Sequence, residues 1–159
     1  MQSEVQVIER ILTTTNSIAV VGLSSNPERP SHRVARYLQS VGYCIIPVNP
    51  TLAEALGERA YADLLSIPEP VDVVDIFRRP DAVPDIVDQA IRIGAKAVSM
   101  QEGLRHPEAA RRAEAAGLFV VMDHCMMKET KRLIAAGTLP LSPSKQRSGP
   151  RRVERTRGQ

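Results

Sequence analysis

Apolar residues in this chain fall into short continuous runs, separated by longer segments where they recur at helical spacing. Val5, Ile8, Ile11 and Leu12 mark one helix face, with Ser3 placed to cap it. A β-branched run predicts a first strand over about Ile18 to Leu23. After a polar loop, Ser31 stands as the N-cap of a helix that aligns Val34, Tyr37 and Leu38 and ends near Gly42. A second strand spans Tyr43 to Val48, where Pro47 has no N–H to give, so pairing there is ending or one-sided. Residues 51–70 are less regular, with a short helix around Ala62 to Ser66. The third strand is Val71 to Phe77, and a helix follows over about Ala82 to Ile93. The fourth strand is Ala97 to Met100, and His106-Pro107 opens an alanine-rich helix that ends at Gly117. The fifth strand, Leu118 to Met122, leaves through Asp123-His124-Cys125 into a last helix reaching about Ala136.

Five strands alternating with helices predict an α/β fold, a doubly wound five-stranded parallel sheet ordered 3-2-1-4-5. Such sheets bind ligands beyond the strand C-termini, near the switch point between the first and fourth strands. Five segments meet that edge: Gly22 to Ser31, Val48 to Pro50, Phe77 to Pro80, Gln101 to Gly103 and Asp123 to Cys125.

Composition narrows the class. At 159 residues the chain is long enough for one domain with a real core. Aromatics reach only 3% with no Trp, so Val, Ile, Leu and Ala must fill that core. No apolar run approaches the roughly 18 residues of a membrane span, and the N-terminus lacks a secretory pattern. Cys44 and Cys125 show neither metal-type spacing nor a disulfide framework, so no metal is assigned and a cytoplasmic location is expected. The net charge of +3 is not a property of the folded part. Six of the 21 basic residues and one of the 18 acidic residues lie beyond Pro140, which puts +5 on the tail and −2 on residues 1–140. A domain over 1–137 and a basic, disordered tail over 138–159 are expected. Nucleic acid is not expected as a partner, since that reading rests on the tail alone.

The first loop carries the chemistry. A strand, a turn at Gly22 and a helix start form a phosphate-binding unit, in which backbone passes close to the ligand and helix N–H groups face an anion. Gly22→Val should therefore weaken binding far more than folding. The second and third glycines of a dinucleotide fingerprint are replaced by Ser24 and Pro27, and Val48-Asn49-Pro50 lacks the carboxylate that would hold an adenosine ribose. NAD is therefore disfavoured. Arg29, Arg78 and Arg79 instead suit a ligand with a pyrophosphate and a further ribose phosphate. Asn49 reads equally as a ligand contact or a turn residue, and Asp75 as a support beneath the first loop, holding arginine or backbone donors. No base–nucleophile pair emerges from the edge segments, so no catalytic residue is assigned.

Several stretches resemble a known family: Gly22-Leu23-Ser24-Ser25-Asn26-Pro27-Glu28-Arg29-Pro30-Ser31, Val48-Asn49-Pro50, Asp72-Val73-Val74-Asp75-Ile76-Phe77-Arg78-Arg79 and Val121-Met122-Asp123-His124-Cys125. The pattern, over about Thr13 to Glu129, is similar to the small single-domain CoA-binding proteins and to the CoA-binding domain of the succinyl-CoA synthetase α subunit. The resemblance implies a Rossmann-like domain that binds coenzyme A or acyl-CoA at the strand C-termini. The synthetase's phosphorylated histidine lies in a domain without counterpart here, so its ligase chemistry does not carry over. The implied contacts are Gly22, Leu23, Ser24, Ser25, Asn26, Arg29, Pro30 and Ser31 in the first loop. Val48, Asn49, Phe77, Arg78, Arg79 and Gln101 complete them from the neighbouring strand ends. His124 and Ser99-Met100 depart from the family pattern. The alternative is an enzyme using the same pocket, either an NAD(P) oxidoreductase or an acyl- or thiol-handling activity. A protein partner or homo-oligomer is left open.

Overall fold

β1 (Ser17–Val21) and β2 (Cys44–Val48) are buried at every position, as strands of a sheet covered on both faces must be. The computed structural model describes residues 2–140. After β2 the chain forms a small hairpin of β3 (Glu54–Ala55) and β4 (Glu58–Arg59), then β5 (Val73–Ile76), β6 (Ala97–Met100) and β7 (Phe119–Val121). The helices are α1 (Glu4–Thr14), α2 (Pro30–Ser40), α3 (Val83–Arg92), α4 (Pro107–Ala115) and α5 (Met126–Ala135). Ser3 caps α1 as expected, in a reciprocal capping box with Gln6.

The five long strands are all parallel and form one sheet in the order β2-β1-β5-β6-β7. The α/β class and doubly wound character match expectation, but the place of one strand is corrected. The third predicted strand, now β5, lies against β1 and not at the far edge beyond β2. Its residues feed both cores, Val73 one and Val74 and Ile76 the other, as suits a central strand. The far-edge place goes to a one-residue parallel bridge between Val48 and Tyr61. Counting that bridge as the third position restores the 3-2-1-4-5 pattern, with the switch point between β1 and β5. Pro47 explains why the edge stops there. Its carbonyl accepts from the Tyr61 N–H at 3.0 Å, and it has no N–H to extend the ladder.

Alternation along the strands divides the interior in two. Ala19, Val21, Ile46, Val74, Ile76, Val98 and Met100 face α3 and α4, while Ile18, Val20, Ile45, Val73, Ala97 and Val121 face α1, α2 and α5. Leu139, expected in the tail, is buried in the second layer, and the Thr138 N–H donates to the Leu133 carbonyl at 2.9 Å. The packed chain therefore runs past residue 137. Residues 141–159, which hold the basic cluster, lie outside the described residues.

At the N-terminal edge, Asp72 ties β1 to β5. Its Oδ2 accepts from the Asn16 and Ser17 N–H groups at 2.8 and 3.1 Å, and Lys96 stands 3.5 Å from Oδ1. Burial pushes this carboxyl up, but the two backbone donors and Lys96 outweigh it and hold it below the usual carboxylate range. A depressed acid stabilises the fold above its unfolded value and loses that contribution as pH falls through the folded one. Asp72→Ala should cost about 1.5–3 kcal/mol at pH 7, the range for hydrogen bonds to a charged group. In urea denaturation, the gap from wild type should narrow as the pH falls through and below the usual carboxylate range.

Candidate functional site

Gly22 joins three strand ends. Its N–H donates to the Val48 carbonyl at 2.9 Å, and the Phe77 N–H donates to the Val21 carbonyl at 2.8 Å. With φ at +92°, Gly22 occupies the left-handed region, and a Cβ there would lie 2.3 Å from the Phe77 carbonyl oxygen. The close approach is to the protein's own β5, so the glycine is required by the fold first. This revises the expectation that a side chain at Gly22 would weaken binding far more than folding.

Beyond Gly22 the loop is built from local side-chain-to-backbone bonds. Ser24 Oγ accepts from the Asn26 N–H at 3.0 Å, and Asn26 Oδ1 accepts from the Glu28 N–H at 2.9 Å. Ser31 is not the N-cap of α2. That position belongs to Arg29, followed by Pro30, whose fixed φ suits the first helical residue. Ser31 Oγ instead accepts from the Ser24 N–H at 3.0 Å, folding the loop back on the helix. No side chain caps the first turn of α2, so its positive end is left toward the loop.

Between this helix start and the end of β5 lies an open cleft of about 570 Å³. Gly22, Ser24, Arg29, Pro30 and Ser31 form one wall, and Phe77, Arg78, Arg79 and Gln101 the other. All nine belong to the predicted set of fourteen. Arg79 is highly exposed and lies 3.7 Å from Asp81, a loose pair that leaves its guanidinium available.

The remaining five predicted residues do not line the cleft. Ser25 and Asn26 stand on the exposed outer loop. Leu23 and Val48 are buried behind it. Asn49 takes the structural role of its two readings: Nδ2 donates to the Leu23 carbonyl at 2.9 Å, and Oδ1 accepts from the Thr51 N–H and hydroxyl. Val48 and Pro50 instead line a neighbouring hollow of about 240 Å³, reached past Arg78 and bounded by Ala62, Asp63, Asp85 and Gln89. Sequence reasoning missed Ala62 and Asp63, because residues 51–70 carry little periodicity, and Asp85 and Gln89, because they lie along α3 and not at a strand exit.

Asp123, His124 and Cys125 shape the exit of β7. Asp123, at φ +63°, accepts from the Gly103 N–H at 2.7 Å. His124 bridges two helices, with Nε2 3.2 Å from Glu4 and Nδ1 3.2 Å from Glu129. Burial lowers its pKa, but the two carboxylates prevail and raise it above the ordinary value. Among the described residues, no group of three His, Cys, Asp or Glu side chains is placed to hold a metal ion. Nor is any described helix long and apolar enough to cross a membrane.

Asp75, expected to hold donors beneath the loop, has none. It is fully buried, neither carboxyl oxygen has a hydrogen-bond partner among the described residues, and burial pushes its pKa up to about 8.

A glycine turn, an uncapped helix start and clustered guanidinium groups meet at the switch point of a parallel sheet in this α/β domain. The model of the CoA binding domain family matches residues 16–131. The chain belongs to that family. It is 42% identical over 119 residues to the uncharacterized protein YneT of Bacillus subtilis, covering 75% of this chain and 88% of that one. A solved structure of a hypothetical protein from Pyrococcus horikoshii is 41% identical with a TM-score of 0.79, over 84% of this chain and 93% of that one. A further match, 30% identical over 89 residues, is to the ADP-forming acetate–CoA ligase II of Archaeoglobus fulgidus, of which the chain covers 13%.

Gly22→Ala should destabilise the fold by on the order of 2–4 kcal/mol, from a left-handed backbone and a contact that must open. Chemical denaturation reads this directly. A loss below about 0.5 kcal/mol, the size of a neutral surface change, would contradict the crossing geometry.

Proposed function

We propose that this chain binds coenzyme A, free or as an acyl thioester, with its phosphates in the cleft between Gly22–Ser31 and Phe77–Arg79. One observation carries the reading: an uncapped helix start and three arginines converge on a single cleft. Coenzyme A presents a pyrophosphate and a separate ribose phosphate, two anionic centres that need more than one cationic group. The α2 start suits the pyrophosphate, and the guanidinium pair after β5 suits the ribose phosphate. The absence of an acidic residue at the end of β2, where Asn49 braces the loop, argues against an adenosine ribose held as in NAD enzymes. Family membership supports the same ligand. The cleft lining carries no carboxylate, imidazole or thiol, so the proposed role is binding, as a carrier or sensor of the CoA pool.

Calorimetry with CoA, acetyl-CoA, NAD and NADP tests the reading. CoA and acetyl-CoA should bind and the nicotinamide nucleotides should not, and the reverse preference would overturn it. Arg78→Ala and Arg79→Ala, compared singly, should show a loss of about 1.5–3 kcal/mol at the arginine that engages the ribose phosphate. For that variant the loss should largely vanish with dephospho-CoA, which lacks this phosphate. Equal losses for both ligands would remove the assigned contact.

A further inference from the structure

Asp75 and Ser99 are paired in register on β5 and β6, with Val20 of β1 on the other side of Asp75. Val73 and Phe77, two residues before and after Asp75, both pack in the α1–α2–α5 layer, so Asp75 faces it too. Ser99 follows Ala97 of the same layer by two residues and precedes Gln101 by two. Phe77 and Gln101 line the phosphate cleft, so the Asp75–Ser99 pair lies one row beneath its floor.

Within and beside this row lie buried polar atoms without partners among the described residues. Both Asp75 oxygens, Ser99 Oγ and, on α5, Thr130 Oγ1 are buried without hydrogen-bond partners. An ionised carboxylate in such surroundings would be very costly, and the neutral acid far less so. No cation is within ion-pair distance of Asp75 among the described residues. The titratable groups packed in this layer are Tyr43, His32 and Tyr37 of α2, the His32 pKa being lowered by burial and by Arg36, and at the head of α5 Cys125 and Glu129. Further along the covering helices, α1 carries Glu4, Glu9 and Arg10, α2 Arg33 and Arg36, and α5 Lys128, Lys131 and Arg132. Glu129 is already engaged by His124 and Arg132. Toward the cleft stand Arg29, Arg78 and Arg79.

We propose that Asp75 is a proton-holding site coupled to the cleft above it, so that binding a polyphosphate draws a proton onto Asp75. The coupling rests on the cleft being the CoA phosphate site. A polyanion bound in the cleft places negative charge over the row that holds Asp75, which favours the neutral acid through the low-dielectric floor. By reciprocity, the affinity for the polyanion falls as the pH rises and Asp75 ionises. The same proton acts on folding without any ligand. The unfolded chain loses it near pH 4 while the folded protein keeps it to about 8, so wild-type stability declines across that interval.

Two measurements on wild-type protein and Asp75→Asn test this. Infrared spectra of the free proteins at pH 6 should show a protonated-carboxyl band in the wild type that Asp75→Asn removes. If no such band exists, Asp75 is ionised and the proposal fails, whatever the cleft binds. Calorimetry with acetyl-CoA at pH 8, in two buffers of different ionisation enthalpy, reads proton uptake. At this pH the ligand's phosphates are fully ionised and it has no free thiol. The wild type should take up roughly 0.2–0.8 proton and bind severalfold more weakly at pH 9 than at pH 7. Asp75→Asn should bind with no uptake and a flat pH profile. Binding with the same uptake in both proteins would overturn the coupling and leave the CoA reading standing. No binding at either pH would overturn both.

Discussion

The crossing of Gly22 over the Phe77 carbonyl is the constraint on which the rest of this structure depends. With 2.3 Å between that oxygen and the place of a Cβ, no side chain fits, and the φ of +92° excludes most residues independently. The crossing lets β1 end against β2 and β5 together, through Val48 and Phe77. Three loops thereby arrive at one point. The cleft exists because they diverge again immediately: one climbs into α2, one turns at Asn49 and one leads to the arginine pair. Ser31 and Asn49 then brace the first loop from two sides.

Electrostatics at this edge are uneven by construction. Above the floor stand guanidinium groups and an uncapped helix end, while beneath it the sheet holds a carboxyl whose pKa burial pushes up. A positive cleft in a domain whose first 140 residues carry −2 concentrates the cationic surface at one place. At the opposite edge Asp72 shows the contrasting case, a carboxyl given enough donors to remain ionised. Two aspartates three residues apart, one just before β5 and one within it, are thus shifted in opposite directions, because one meets backbone N–H groups and the other meets none.

Much of this was legible in the sequence, for identifiable reasons. The buried strands announce themselves as β-branched runs, and the edge segments follow from the parallel winding. That is why nine residues of the cleft lining lie in the predicted set. What periodicity does not encode is which strands pair. The run at Val73–Ile76 reads the same whether it lies beside β1 or at the far edge, and only its pairing with β1 on one side and β6 on the other settles its place. The β3–β4 hairpin escaped notice because its turn uses Leu56 at φ +55° beside Gly57, and its strands are two residues each. Ser31 resembled a cap, yet Pro30 beside it is the stronger helix-start signal. Asp75 looked like a brace for the loop, and nothing in sequence reveals that its oxygens find no donors.

Pro47 and the single bridge at Tyr61 have a consequence for how this protein meets others of its kind. A parallel sheet that ended on β2 with a full row of donors and acceptors would be a template for adding strands from another chain. Here the row is interrupted at its centre by a residue that cannot donate, and its nearest carbonyl is already occupied. Growth of the sheet across this edge, whether as an ordered assembly or as a fibril, is disfavoured by the backbone itself.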